Sequence, residues 1–167
     1  MRVRTIEPSD YDDYARLLEK TSDEDRFCRF FHVVKTFDPR EIHRFVDSQP
    51  DMVGFIAEDR GGLKPGVAHG FLTEAHTAEV AVLVAAEARR RGIGFALLSA
   101  LIAELQAREC RRIIAYSLSE NHAFANLARS AGLRPNSVQS GTVTWALATE
   151  AEQPLRGHVT TLSGNIT

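Results

Sequence analysis

The sequence predicts an α+β domain built around a mixed central sheet. Three observations carry that expectation. Residues 52–84 read as a meander of three strands, broken by Asp59-Arg60-Gly61-Gly62 and by a second polar turn near Glu74 and His76. Residues 77–105 read as a strand, a short basic turn with two glycines, and an amphipathic helix. Beyond them, strand and helix signals alternate to about residue 148.

Taken in order, residues 2–6 alternate polar and apolar side chains, as a half-buried strand does. Pro8, Ser9 and Asp10 stop it and supply an N-cap. A helix over 11–20 follows, with Tyr14, Leu17 and Leu18 on one face. Ser22 is placed to cap a second helix to about residue 32, carrying Phe27, Phe30 and Phe31. Asp38-Pro39 joins an N-cap to a first-turn proline and starts a third helix to about Ser48, with Ile42, Phe45 and Val46 inward. The meander then takes 52–58, 67–73 and 77–84. From Gly92 the long helix sets Phe95, Leu98, Leu101, Ile102 and Leu105 at helical spacing. The apolar run 113–118 predicts a strand buried on both faces. Ser119 or Asn121 caps a helix to about Ser130, lined by Phe124, Leu127 and Ala128, and Gly132 is its stop. Residues 133–136 are short and extended, and 141–148 alternate as a last strand. The tail lacks periodicity, so a single domain over 1–148 and a partly disordered tail over 149–167 are expected.

A chain of 167 residues is long enough for one domain with a real core. A formal net charge of −2 excludes a global basic field for nucleic acid; the basic residues are local, at 89–91 and 108–112. Cys28 and Cys110 have no metal spacing, which points to free thiols in a reducing compartment. The six histidines show no metal spacing either; His69, His76 and His122 are expected as surface or satisfied residues, and no metal is expected. The N-terminus has no apolar signal region, and the longest apolar run is too short to span a bilayer, so a cytoplasmic protein is expected.

The basic turn carries the chemistry. The first amides of a helix have no intrahelical partner, and the helix dipole places partial positive charge there. Gly92 and Gly94 would let backbone approach a ligand, and Arg89, Arg90 and Arg91 add fixed charge suited to phosphate. A dinucleotide fingerprint is excluded because the third glycine position is Leu97; a P-loop is excluded because Phe95-Ala96 follows Gly94. On pattern alone, Arg89-x-x-Gly92-x-Gly94 fits a phosphate site and a charged helix cap equally well.

This stretch resembles the coenzyme A-binding motif of the GNAT superfamily of N-acetyltransferases, Q/R-x-x-G-x-G/A. A second GNAT feature follows in order: Asn121-x-x-Phe124-x-x-Leu127, then Gly132-Leu133. The segment from Ser22 to Phe31 and the strand residues Ala78-Glu79-Val80-Ala81 look like the GNAT domain of Pat-type bacterial protein lysine acetyltransferases. The resemblance implies the GNAT fold, acetyl-CoA as co-substrate, and an amine acceptor, with a protein lysine favoured. It implies that the amides of Arg91, Gly92, Ile93, Gly94, Phe95 and Ala96 bind the pyrophosphate, and that Val82, Leu83 and Val84 pair with the pantetheine arm. Leu83 or Val84 would hold the thioester carbonyl. Asn121 would either bind pantetheine or cap its helix, and Phe124 belongs to the same motif. A monomer or a homodimer fits.

Lysine has a pKa of about 10.4, so an acceptor amine needs a base, which contributes roughly 10²–10⁴-fold. Glu79 is the candidate, on the strand leading into the turn; Glu74 is a weaker one. The tyrosine that often protonates the leaving thiolate would stand at Ala128, so the acid is Tyr116, Ser119 or water. The alternatives are a small-molecule amine acetyltransferase and a catalytically silent acetyl-CoA-binding module.

Overall fold

The computed structural model describes residues 1–22, 38–47, 49–73 and 76–148. The expected helix after Ser22, Ser48, Glu74, Cys28 and the tail from Thr149 lie outside them. The strands are β1 (Arg2–Thr5), β2 (Met52–Glu58), β3 (Gly66–Thr73), β4 (Thr77–Val84), β5 (Arg112–Leu118), β6 (Arg134–Gln139) and β7 (Thr142–Ala148). They form one sheet in the order β1-β2-β3-β4-β5-β7-β6. Every neighbouring pair is antiparallel except β4 and β5, so the sheet is mixed, as expected.

Four helices flank it among the described residues: α1 (Tyr11–Glu19), α2 (Pro39–Val46), α3 (Ile93–Ala107) and α4 (His122–Ser130). Helix α3 covers one face. Its fully buried Leu97, Leu98, Leu101 and Leu105 meet Ala57, Ala68, Val80, Ile113 and Ala115 of the strands. Each such leucine contributes about 1.5–3 kcal/mol by leaving water. The helix sits close because β3 carries Gly70: a Cβ there would lie 3.1 Å from Cδ1 atoms of Leu101 and Leu105. Helices α1 and α2 cover the opposite face, with Tyr14, Leu17, Leu18, Ile42 and Val46 on Ile56, Val67 and Leu83.

Cap chemistry sets the first helices. Asp38 accepts from the Arg40 amide at 2.8 Å, with Pro39 beside it, so α2 starts where the sequence puts it. Asp10 behaves differently from expectation. Residues Pro8–Asp10 form a 3₁₀ turn, and the Asp10 carboxylate points back to the Glu7 amide at 2.9 Å instead of capping α1. It also takes both terminal nitrogens of Arg4, at 2.7 and 2.6 Å. Burial would raise the Asp10 carboxyl, but the Arg4 hydrogen bonds, the Glu7 amide and the nearby positive charge hold it below the usual carboxylate range.

Two further expectations are corrected. Strand β5 is buried on one face only: Ile113, Ala115 and Ser117 are buried, while Ile114, Tyr116 and Leu118 are half-buried. Its second face opens onto the cleft described below. Phe95, grouped by spacing with the buried face of α3, is 47% exposed; Ile93 and Leu97 take the inward positions of that first turn.

Candidate active site

The site begins with a defect in the sheet. Strands β4 and β5 pair in parallel at Thr77↔Arg112, Ala78↔Ile113 and Glu79↔Ile114, and no further. Yet β4 runs on to Val84 and β5 to Leu118. Past Glu79 the two strands part, and residues 80–84 keep a strand partner only on the β3 side. A parted pair leaves backbone donors and acceptors available, so an extended ligand can be taken there like an added strand.

The opening is a cleft of about 740 Å³. From β4, Glu79, Val82, Leu83 and Val84 line it. Glu79 is half-buried and stands at the last paired position, with Phe71 of β3 and Ile114 of β5 as its cross-strand neighbours. Alternation puts Ala81 and Leu83 on its face, and Leu83 packs into the α1–α2 core.

The turn after β4 supplies the second wall. A 3₁₀ turn at Ala86–Ala88 is followed by Arg90 at φ 61° and Gly92 at φ 76°, both left-handed. Gly92 is the N-cap residue of α3. That conformation turns the chain sharply, so the first amides of α3 face outward without intrahelical partners. Arg89 ties the turn to the end of β4, its Nε donating to the Val84 carbonyl at 3.3 Å. Arg89, Arg90, Gly92, Ile93, Gly94 and Phe95 line the cleft; Arg91 and Ala96 do not. The two glycines have different physical reasons. A Cβ on Gly92 would meet nothing within 4 Å, so its positive φ is the constraint. A Cβ on Gly94 would lie 3.2 Å from Leu127 Cδ2, so its missing side chain lets α3 and α4 close together.

Helix α4 supplies the third wall through Asn121 and Phe124. Asn121 Oδ1 accepts from the Phe124 amide at 2.9 Å, so the capping role assigned to it is present, in a residue that also faces the cleft. The helix is held by Trp145: Phe124 packs edge-on to it, Arg129 lies 5.2 Å from its ring centre, and its Nε1 donates to Ser117 Oγ at 2.9 Å.

Of the two acid candidates, Tyr116 lines the cleft, while Ser119 is exposed and donates to the Gly141 carbonyl at 2.9 Å. Ala128 is fully buried. Asn126 also lines the cleft, and sequence reasoning missed it; nothing in its local pattern separates it from an ordinary outer-face residue. His69, expected at the surface or satisfied, is fully buried, its Nε2 lying 3.1 Å from the Phe45 carbonyl; His76 and His122 are exposed. No group of metal-ligating side chains occurs among the described residues.

A split sheet edge beside a left-handed, arginine-bearing turn suits a long thiol ester with a charged diphosphate. The arm can run along residues 80–84, and the diphosphate can meet the orphan amides and Arg89 and Arg90. No helix among the described residues is long and apolar enough to cross a membrane.

Comparison with known proteins agrees with that geometry. Residues 5–133 match the Acetyltransferase (GNAT) family. The fold is similar to the GNAT domain of S. lividans PAT, with TM-score 0.80 and 28% identity over 89% of this chain and 90% of that one. It is similar to the ribosomal-protein-alanine N-acetyltransferase of Brucella melitensis, with TM-score 0.74 and 22% identity over 89% and 100%. A phosphinothricin acetyltransferase from Sinorhizobium meliloti, solved in complex with AcCoA, gives TM-score 0.76 and 19% identity over 93% and 94%. The family match spans most of the sequence, both sides of the split sheet included, and the chain therefore belongs to the GNAT family as an acetyl-CoA-dependent N-acetyltransferase.

Proposed function

We propose that this enzyme acetylates lysine side chains of proteins, with Glu79 as the base. The observation that carries the base assignment is the place of Glu79: the cleft-lining carboxylate where β4 and β5 part. The preference for a protein lysine draws support from Ala78-Glu79-Val80-Ala81 and from the likeness to the S. lividans PAT domain.

In this reading the backbone of Val82, Leu83 and Val84 holds the pantetheine arm, and the amide of Leu83 or Val84 donates to the thioester carbonyl as negative charge develops on it. The amides of Ile93, Gly94 and Phe95, with Arg89 and Arg90, hold the diphosphate; Ala96 does not take part because its amide already donates to the Gly92 carbonyl at 3.0 Å. The amine nitrogen attacks the carbonyl carbon, the C–N bond forms and the C–S bond breaks. Glu79 takes the nitrogen's proton, directly or through a water. The departing thiolate takes a proton from Tyr116 or from water.

Glu79→Gln tests this. Turnover should fall by roughly 10²–10⁴-fold while the calorimetric Kd for acetyl-CoA stays unchanged. A variant that turns over like the wild type would remove Glu79 from the mechanism. Free-thiol release with lysine-containing proteins and with small amines tests the acceptor. A higher kcat/KM for a small amine than for any protein would replace protein lysine as the acceptor.

A further inference from the structure

Helices α1 and α2 cover only half of their face of the sheet. The strand residues in their core are Ile56, Val67 and Leu83, and none comes from β5, β7 or β6. Cross-strand register carries the Glu79 face outward in a row: Glu79 pairs with Ile114 of β5, Ile114 with Ala146 of β7, and Ala146 with Arg134 of β6. The next row holds Thr77 and Arg112. Ile114, Ala146 and Arg112 are half-buried, and Arg134 is exposed. Arg134 donates to the carbonyls of Arg129 and Leu133, at 3.3 and 3.1 Å. No carboxylate among the described residues pairs with Arg112 or Arg134. The sequence gives the reason: between Cys110 and Ala148 there are four arginines and a single carboxylate, Glu120, in a chain whose net charge is −2.

Neighbouring strands lie about 4.8 Å apart and rise about 3.3 Å per residue, which puts the backbone of Arg112 about 8 Å from that of Glu79 and the backbone of Arg134 about 14 Å from it. An extended segment advances about 7 Å over two residues and about 13 Å over four, and its alternate side chains point the same way. A segment lying on this face with a lysine amine at Glu79 therefore brings residues two to four positions away within reach of the two guanidiniums. Guanidinium binds carboxylate through paired hydrogen bonds, and it repels another cation. We propose that the acceptor protein docks on this open half of the sheet, and that Arg112 and Arg134 select lysines with acidic residues two to four positions away. This rests on a protein lysine being the acceptor. The two arginines bind the flanks of the acceptor and take no part in the proton transfer at Glu79.

The experiment measures kcat/KM with three peptides that share one lysine and differ in its flanks, which are glutamates, serines or arginines. The wild type should prefer the acidic peptide to the neutral one by roughly two- to 30-fold, the range for two partly exposed ion pairs. The arginine-flanked peptide should be the poorest. Arg112→Gln with Arg134→Gln should erase this ranking through KM rather than kcat, and the Kd for acetyl-CoA should stay that of the wild type. Lysine at both positions should keep the ranking. Arg134→Gln alone, at an exposed position, should remove part of the preference without lowering Tm, which keeps a test in hand if the double variant fails to fold. Added salt should shrink the preference. A wild type that treats the acidic and neutral peptides alike overturns the proposal. So does a double glutamine variant that keeps the preference, or one that loses kcat equally on all three peptides. Turnover of a small amine with no turnover of any peptide would overturn the protein-lysine acceptor and this proposal with it, a result distinct from peptide turnover without preference.

Discussion

Alanine at Gly92 should cost about 1 kcal/mol of stability and weaken acetyl-CoA binding, whereas alanine at Gly94 should be nearly neutral for stability. Gly92 has φ 76°, and a Cβ there would meet no atom within 4 Å. The cost is therefore conformational, with no packing contribution. A Cβ in the left-handed region costs about 1–2 kcal/mol, and the stiffer unfolded chain gives back about 0.4–1 kcal/mol. A net loss of about 1 kcal/mol lowers Tm by about 2–4 °C in a domain of this size. If the residue relaxes instead toward negative φ, the first amides of α3 turn away and the Kd for acetyl-CoA rises. At Gly94 the added methyl would stand 3.2 Å from Leu127 Cδ2 and 3.7 Å from Val84 Cγ2. Leu127 is half-buried and can yield by a few tenths of an ångström, while alanine in a helix gains up to about 1 kcal/mol over glycine. Scanning calorimetry and titration calorimetry on Gly92→Ala, Gly92→Asn and Gly94→Ala decide the matter. Asparagine tolerates positive φ, so Gly92→Asn should be the milder change. A wild-type Tm for Gly92→Ala, or an asparagine variant less stable than the alanine one, would refute the argument.

Asp10→Ala leaves Arg4 with Glu58, at 3.5 Å, and the Thr5 carbonyl, at 3.0 Å, and should cost about 2 kcal/mol at pH 7, less than a fully buried pair because Arg4 is partly exposed and keeps these partners. The Asp10 carboxyl titrates below its ordinary range in the folded chain, so the unfolded chain takes the proton first as pH falls. The wild type's advantage should be complete above the ordinary carboxylate range and should fade as pH drops through the lowered folded value. Denaturant melts across that window would show this, and an advantage that persists in strong acid would contradict it. Ser117→Ala removes the acceptor of Trp145 Nε1, which is buried, and should cost about 1–3 kcal/mol in a urea melt followed by the chain's single tryptophan. Cys110 is buried, and that burial pushes its thiol up against the opposing pull of Arg108. In a Cys28→Ser background, a thiol reagent should label the protein only slowly until denaturant is added; rapid native labelling would contradict the burial.

Much of this protein is legible from local chemistry. Asp38-Pro39 starts a helix because a carboxylate two residues before a free amide, and a ring already at helical φ, need nothing from the rest of the chain. The meander strands, the helix after Gly92 and the Asn121 cap were readable for the same reason: a few neighbouring side chains decide them. The motif 89–94 likewise marks its turn, since a left-handed Gly92 is a property of that residue's own backbone. What the sequence could not decide are the features that need two distant segments at once. The run 113–118 predicts burial on both faces, but β4 and β5 separate after Glu79↔Ile114, and one face of β5 opens onto the cleft. Spacing alone groups Phe95 with the core leucines, but burial depends on what lies opposite, and the first turn of α3 reaches past its cover. Asp10 reads as a cap until Arg4, from the neighbouring strand, takes its carboxylate. By itself the sequence determines where the chain bends, caps and coils, because those energies are short-ranged. Only the tertiary structure decides which strand edges part and which side chains face the gap, because pairing and burial are set by residues far apart along the chain.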